Sequence, residues 1–171
     1  KTDLKAVIAY DCRNNNTLFS QITADVLSAN GILVYQFDAL RPTPELSFAI
    51  RQLGCQAGIV ITASHNPKEY NGYKVYWEDG GQLINPHDEN VVAEARKITD
   101  INEVNFKGNP QLQVIIGEEM DKKYVDAIKT LTLSPEIITR QKDLKIVYTP
   151  IHGTGVKLVP RALKEFGFAN V

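Results

Sequence analysis

Cysteine, methionine and tryptophan are scarce in this chain: two, one and one among 171 residues. Cys12 and Cys55 stand alone, with no CxxC pair and no Cys/His cluster. That excludes a zinc finger or ribbon and predicts two reduced thiols rather than a disulfide. A cytoplasmic location is the matching expectation. No apolar run approaches the ~18 residues of a membrane-spanning helix, so no membrane association is expected. An excess of one charge is also lacking: 19 Lys and Arg face 20 Asp and Glu, leaving a formal net charge of -1. Such a chain has no global field to recruit nucleic acid or an anionic bilayer. The opening stretch Lys1-Thr2-Asp3-Leu4-Lys5 does not read as a secretion signal. It reads as a start just ahead of a first strand.

What is present is ordinary for a globular protein: 43% hydrophobic and 23% charged residues, enough for one domain and part of another. Ala6 to Tyr10 is a short apolar run and predicts a buried strand. Phe19, Ile22 and Val26 recur at helical spacing and are expected to form the buried stripe of a helix ending near Asn30-Gly31. Ile32 to Phe37 predicts a second strand. Thr43 is expected to cap a helix with Pro44 in its first turn, ended by Gly54. Ala57 to Ile61 predicts a third strand, and this alternation is the pattern of a layered α/β domain.

Asn71-Gly72 is a turn signal, Tyr73 to Trp77 predicts a strand, and Gln82-Leu83-Ile84 its hairpin partner, so the sheet is expected to be mixed. A helix is expected after Asn85-Pro86, with Val91, Ala95 and Ile98 facing inward. Residues 99–113 read as irregular; Met120, Tyr124, Ile128 and Leu131 mark another helix, and Ser134-Pro135 opens a short one. A domain boundary is placed at 141/142, giving domains 1–141 and 142–171. Leu144 to Tyr148 would open the second domain as a strand, and Val159, Leu163 and Phe166 would line its first helix. The fold class is therefore α/β: a three-layer α/β/α domain with a mixed sheet, plus the first strand and helix of a second similar domain.

The chemistry concentrates at Thr62-Ala63-Ser64-His65-Asn66-Pro67, with Lys74 ten residues after Ser64. A serine on a tight loop after a buried strand presents its hydroxyl to solvent. Serine is a weak nucleophile and needs a base or electrostatic help. Phosphoryl transfer asks mainly for positioning and charge neutralisation. Loop N–H groups, His65 and Lys74 supply donors in principle. On residue types alone, a Ser–His pair in a loop is ordinarily a solvated turn, and a lysine after a turn an ordinary surface charge. A Ser-His-Asp hydrolase is weaker still, because Ala63 and His65 flank the serine where a G-x-S-x-G elbow has glycines. Arg13 follows the first strand, where α/β folds place ligands, and reads either as a phosphate-site residue or as an ion-pair partner of Asp11. His152 lies in a glycine-rich turn that reads first as a plain turn, and His87 as solvated. Tyr73, Tyr76 and Trp77 have packing as their default role.

The full string TASHNP followed by NGYKVYW resembles the active-site serine loop of the α-D-phosphohexomutase superfamily of phosphoglucomutases and phosphomannomutases. Tyr10-Asp11-Cys12-Arg13 is similar to that family's Gly-x-Asp-x-Arg segment, Pro42-Thr43-Pro44 to its Pro-Thr-Pro turn, and Val147 to Gly153 to the opening of its second domain. The resemblance implies a four-domain enzyme that moves phosphate between C1 and C6 of glucose or mannose through a bisphosphorylated sugar. It implies that Ser64 is the phosphoserine, His65 its neighbour at the site and Lys74 a general acid or base, with Arg13 and Asn66 on the phosphate or substrate. It implies Mg2+ on an oxygen of the Ser64 phosphate, and a sugar 1,6-bisphosphate as activator. No D-G-D-x-D-R metal loop occurs here, and the family's arginine segment before the first strand is absent. The expectation is an N-terminally truncated serine domain with the start of domain two, inactive alone, whose missing partners are further domains of the same chain. A phosphopentomutase of the same superfamily is the alternative enzyme, and a non-catalytic phosphate-binding module the alternative of another class.

Overall fold

The computed structural model describes residues 4–171; the first three residues of the opening segment lie outside it. The chain divides into two compact units, Lys1–Ile116 and Gly117–Val171.

The first unit holds β1 (Lys5–Tyr10), α1 (Asn16–Ala29), β2 (Leu33–Phe37), α2 (Thr43–Leu53), β3 (Ala57–Ile61), β4 (Tyr73–Trp77), α3 (His87–Ala95) and β5 (Gln113–Ile116). The strands form one sheet in the order β4-β3-β1-β2-β5, parallel except for β4. The chain leaves β1 toward β2 and returns past it to β3. Right-handed crossovers in opposite directions put their helices on opposite faces. The side chains agree: Ala6, Ile8 and Tyr10 of β1 cluster with Ala24 of α1. Gly58, on the other face, lies so close to α2 that a Cβ there would meet Ile50 Cγ1 at 2.7 Å. This is the expected α/β layering. The point where the winding reverses lies between the C-terminal ends of β1 and β3, where open α/β sheets leave a crevice.

Several expectations need correction. Phe19 and Ile22 of α1 are exposed; the buried face carries Asn16, Ser20, Thr23, Ala24 and Ser28 instead. That face stays satisfied because polar partners come with it: Gln36 Nε2 of β2 donates to Ser20 Oγ at 2.8 Å. Thr43 is the first helical residue of α2, and Pro42 holds the cap position. The return arm at 82–84 is a single bridge between Tyr76 and Gln82, not a strand. Val91, Ala95 and Ile98 are exposed, and no residue of α3 is buried. His87 is exposed but stacks on Trp77, ring centroids 5.3 Å apart. Within β4, Tyr76 packs inward while Tyr73 and Trp77 stay exposed. Strand β5 ends the nominally irregular stretch. It is anchored by Gln113 Nε2, which donates to Asp25 Oδ1 and Ser28 Oγ of α1, each at 2.9 Å.

The second unit holds α4 (Glu118–Lys129), α5 (Pro135–Arg140) and α6 (Leu158–Phe166). Met120 and Val125 of α4 and Leu158 of α6 are buried. Arg161 ties α6 to α4, donating to the Glu118 carbonyl at 3.0 Å and pairing with Asp121 at 3.8 Å. The expected boundary at 141/142 thus falls inside this unit. The expected strand over 144–148 does not form. Residues 142–146 bond to the chain's last residues through Ile146 N–H to the Asn170 carbonyl and Ala169 N–H to the Lys142 carbonyl. One short line of partners does not make a ladder, and Val147 remains 99% exposed.

Candidate active site

The loop after β3 leaves the sheet at the reversal point. Ser64 sits on it, exposed, with φ +57°. A non-glycine residue in the left-handed region costs free energy and must be held by its surroundings. Three groups hold it. Its N–H donates to Thr62 Oγ1 at 3.1 Å. Thr62 Oγ1 in turn donates to Asp11 Oδ2 at 2.6 Å. Its carbonyl accepts from Arg13 Nη2.

Arg13 is the centre of this support. It is 9% exposed and lies beneath the loop. Its Nε pairs with Asp11 Oδ2 at 2.9 Å. Its Nη1 donates to the carbonyls of Asn66 at 2.7 Å, Pro67 at 2.9 Å and Tyr70 at 3.3 Å. Of the two readings of Arg13, the geometry gives the ion pair with Asp11, extended into a clamp on the loop backbone. Asn66 contributes a carbonyl to that clamp, and its own N–H closes a turn on the Ala63 carbonyl at 3.2 Å. Aspartate and arginine two residues apart were visible in the sequence. The clamp was not, because its acceptors are backbone carbonyls more than fifty residues away.

Lys74 reaches the serine from β4. It opposes Val60 across the antiparallel pair and so shares the α2 face of the sheet. From there its Nζ donates to Ser64 Oγ at 2.8 Å. The hydroxyl is therefore open to a solute on one side and in contact with an ammonium on the other. A group bonded at Oγ would meet a cation already in place, which is what a transferring phosphoryl group needs. His65 is exposed beside Ser64 on the same loop. His152 is exposed in a turn of the second unit, where Gly153 N–H donates to the Pro150 carbonyl at 2.7 Å. The described residues contain no group of three or more His, Cys, Asp and Glu placed to hold a metal. No described helix is long and apolar enough to cross a membrane.

Residues 1–102 match the family described as phosphoglucomutase/phosphomannomutase, alpha/beta/alpha domain I. The chain is 42% identical over 174 aligned residues to a phosphoglucomutase of Staphylococcus haemolyticus, covering 96% of this chain and 30% of the relative. It is 40% identical over 169 aligned residues to a probable phosphoribomutase of Schizosaccharomyces pombe, covering 96% of this chain and 28% of the relative. The chain thus spans about three-tenths of the length of these curated relatives. Among solved structures, the Thermus thermophilus putative phosphomannomutase superposes with a TM-score of 0.75 at 23% identity, covering 97% of this chain and 36% of that one. The Paramecium phosphoglucomutase parafusin gives 0.76 at 17% identity, covering all of this chain and 35% of that one. At these identities the superpositions speak for the fold.

Proposed function

Because this chain belongs to the phosphoglucomutase/phosphomannomutase family, we propose that it is the serine-bearing part of a phosphosugar mutase, with Ser64 as the residue that carries the phosphoryl group. The single observation behind this reading is the exposed Ser64 hydroxyl in contact with Lys74 Nζ at 2.8 Å.

In the proposed reaction, a hydroxyl oxygen of the sugar phosphate attacks the phosphorus on Ser64 Oγ. The O–P bond to Ser64 breaks as the bond to the sugar forms, giving a bisphosphorylated sugar. Lys74 gives a proton to the departing Ser64 Oγ, and the proton of the attacking sugar hydroxyl passes to solvent water. The sugar turns round, its other phosphate returns to Ser64, Lys74 takes the serine proton back, and the sugar oxygen that loses the phosphate takes a proton from water. Arg13, through its grip on the loop carbonyls, keeps Oγ at one address through both halves. His65 lies beside the loop as a further donor, and Asn66 lines it. A phosphoserine carries a charge of about -1.5 to -2 and calls for cations. This chain's share of a magnesium site is an oxygen of that phosphate, the metal supplying further neutralisation when bound. The other ligands would come from further domains of the same chain, and these residues alone would be inactive. A sugar 1,6-bisphosphate would load Ser64, and two cysteines that are not joined in a disulfide fit a cytoplasmic enzyme.

The substrate is a hexose 1-phosphate and 6-phosphate pair of glucose or mannose. A pentose phosphate is the second reading, favoured by the near-equal identity to the probable phosphoribomutase. The test is an isomerase assay on the whole gene product with glucose, mannose and ribose phosphates. Turnover with one of them, abolished in Ser64→Ala, supports the reading. Unchanged turnover in Ser64→Ala overturns it, and binding of sugar phosphate without turnover would favour a non-catalytic module.

A further inference from the structure

Lys74 and Ser64 belong to different elements, so their contact needs something that fixes the start of β4 against the ends of β1 and β3. The ladder fixes part of it: Ile61 opposes Tyr73 and Val60 opposes Lys74. Beyond the ladder, two asparagines close the gap. Asn16, the first residue of α1, is 1% exposed. Its Nδ2 lies within hydrogen-bond distance of the Asp11 carbonyl at 3.1 Å, the Ile61 carbonyl at 3.1 Å and Asp11 Oδ1. One side-chain amide thus joins the end of β1 to the end of β3. Its Oδ1 accepts from Asn71 Nδ2, which also reaches the Asn14 carbonyl at 3.3 Å. Asn71 Oδ1 accepts the Gly72 N–H at 3.0 Å. The Gly72 carbonyl accepts the Thr62 N–H at 3.0 Å, which returns the chain of contacts to the loop that presents Ser64.

We propose that Asn16 and Asn71 are positioning residues for the Ser64–Lys74 pair, an inference that rests on Ser64 being the phosphoryl carrier. Neither touches the hydroxyl or the ammonium. They act through Asn71, which lies three residues before Lys74 and two before the start of β4. The side chains serve this role better than the ladder alone because β4 is an edge strand with one full-length partner. Asn71 is half-buried and outside any helix or strand, so its removal loosens β4 without opening the core. A displacement of about 1 Å between reacting groups can cost on the order of 100-fold in rate.

The test is a double-mutant cycle on the whole gene product, with Asn71→Ala, Lys74→Ala and the double variant. Single-turnover phosphorylation of Ser64 by glucose 1,6-bisphosphate and ribose 1,5-bisphosphate is measured beside steady-state kcat, KM and melting temperature. Asn71→Ala is expected to lower the Ser64 phosphorylation rate and kcat by about 10- to 100-fold with KM changed less than threefold. In the Lys74→Ala background the same change is expected to have little further effect, because the residue it positions is gone. Equal losses in both backgrounds overturn the proposal, as does wild-type phosphorylation in Asn71→Ala. If Asn71→Ala melts far lower, Asn71→Ser repeats the cycle, since its hydroxyl still accepts from Gly72 but is too short for Asn16. Losses that track melting temperature across both variants also overturn it. Failure of the underlying reading is distinct: wild-type protein then takes no phosphate, or takes it elsewhere than Ser64.

Discussion

Removing the Arg13 guanidinium is the most informative perturbation of the loop's support. Arg13→Ala leaves Asp11 without its cation, in a place where the two side chains are 6% and 12% exposed. Breaking one partner of a pair this buried costs about 3–5 kcal/mol. The Asn66, Pro67 and Tyr70 carbonyls lose their donor as well, but the loop is exposed and water replaces part of that loss. The net cost is then about 3–5 kcal/mol, which lowers the melting temperature of a domain this size by roughly 10–20 °C. Arg13→Lys keeps the charge but not the fork that serves Asp11 and the carbonyls together, so it is expected to fall between. Thermal unfolding by circular dichroism measures the stability. Limited proteolysis across residues 64–70 measures the loop. An Arg13→Ala protein that melts within about 3 °C of wild type, with its loop equally resistant, would refute the clamp.

Three further outcomes follow from the same structure. Lys74→Ala should lower phosphoryl transfer to Ser64 at least 100-fold while changing stability by less than about 0.5 kcal/mol, because Lys74 lies at the surface end of its contact; comparable losses in both would make Lys74 structural. Gly72→Ala should destabilise by about 1–3 kcal/mol, because a Cβ there would meet the Thr62 carbonyl oxygen at 2.6 Å, and a chemical denaturation midpoint equal to wild type would contradict it. Burial, partly offset by Lys5, pushes the Cys55 thiol up to about 11 from an ordinary 9.0. The fold therefore favours the protonated thiol, a contribution fully present below pH 9.0 and lost as pH rises toward about 11. Wild-type stability should fall by up to about 2–3 kcal/mol more than that of Cys55→Ala across that window, and native-state alkylation at pH 8 should label the exposed Cys12 and spare Cys55; parallel pH curves or equal labelling would refute the burial argument.

The first three strands, the two helices between them and β4 were legible because short apolar runs and helical spacing report local burial. The face of α1 was not. Its apolar residues Leu18, Phe19 and Ile22 point outward, and its buried side rests on hydrogen bonds such as Gln36 to Ser20. Periodicity reads apolar burial, so a polar buried face is invisible to it. Strand β5 was missed because four residues carry little pattern and its anchor is Asp25 and Ser28, far away in sequence. At the site, Ser64 and Lys74 stood out through their shared motif, and the structure brings them into contact. Arg13 stood out by its place after β1, yet its partners are backbone atoms, which sequence does not announce. The strand expected over 144–148 failed for the opposite reason: the residues have the right character, but among the described residues their backbone partners outside the local turn come from the short terminal stretch.

The most direct measurement is tandem mass spectrometry of the whole gene product after incubation with glucose 1,6-bisphosphate or ribose 1,5-bisphosphate. The account predicts a single added phosphate, mapped to the Ser64 side chain and discharged when sugar monophosphate is supplied. Phosphate found on another residue, or a Ser64 that stays bare with both donors, would contradict it.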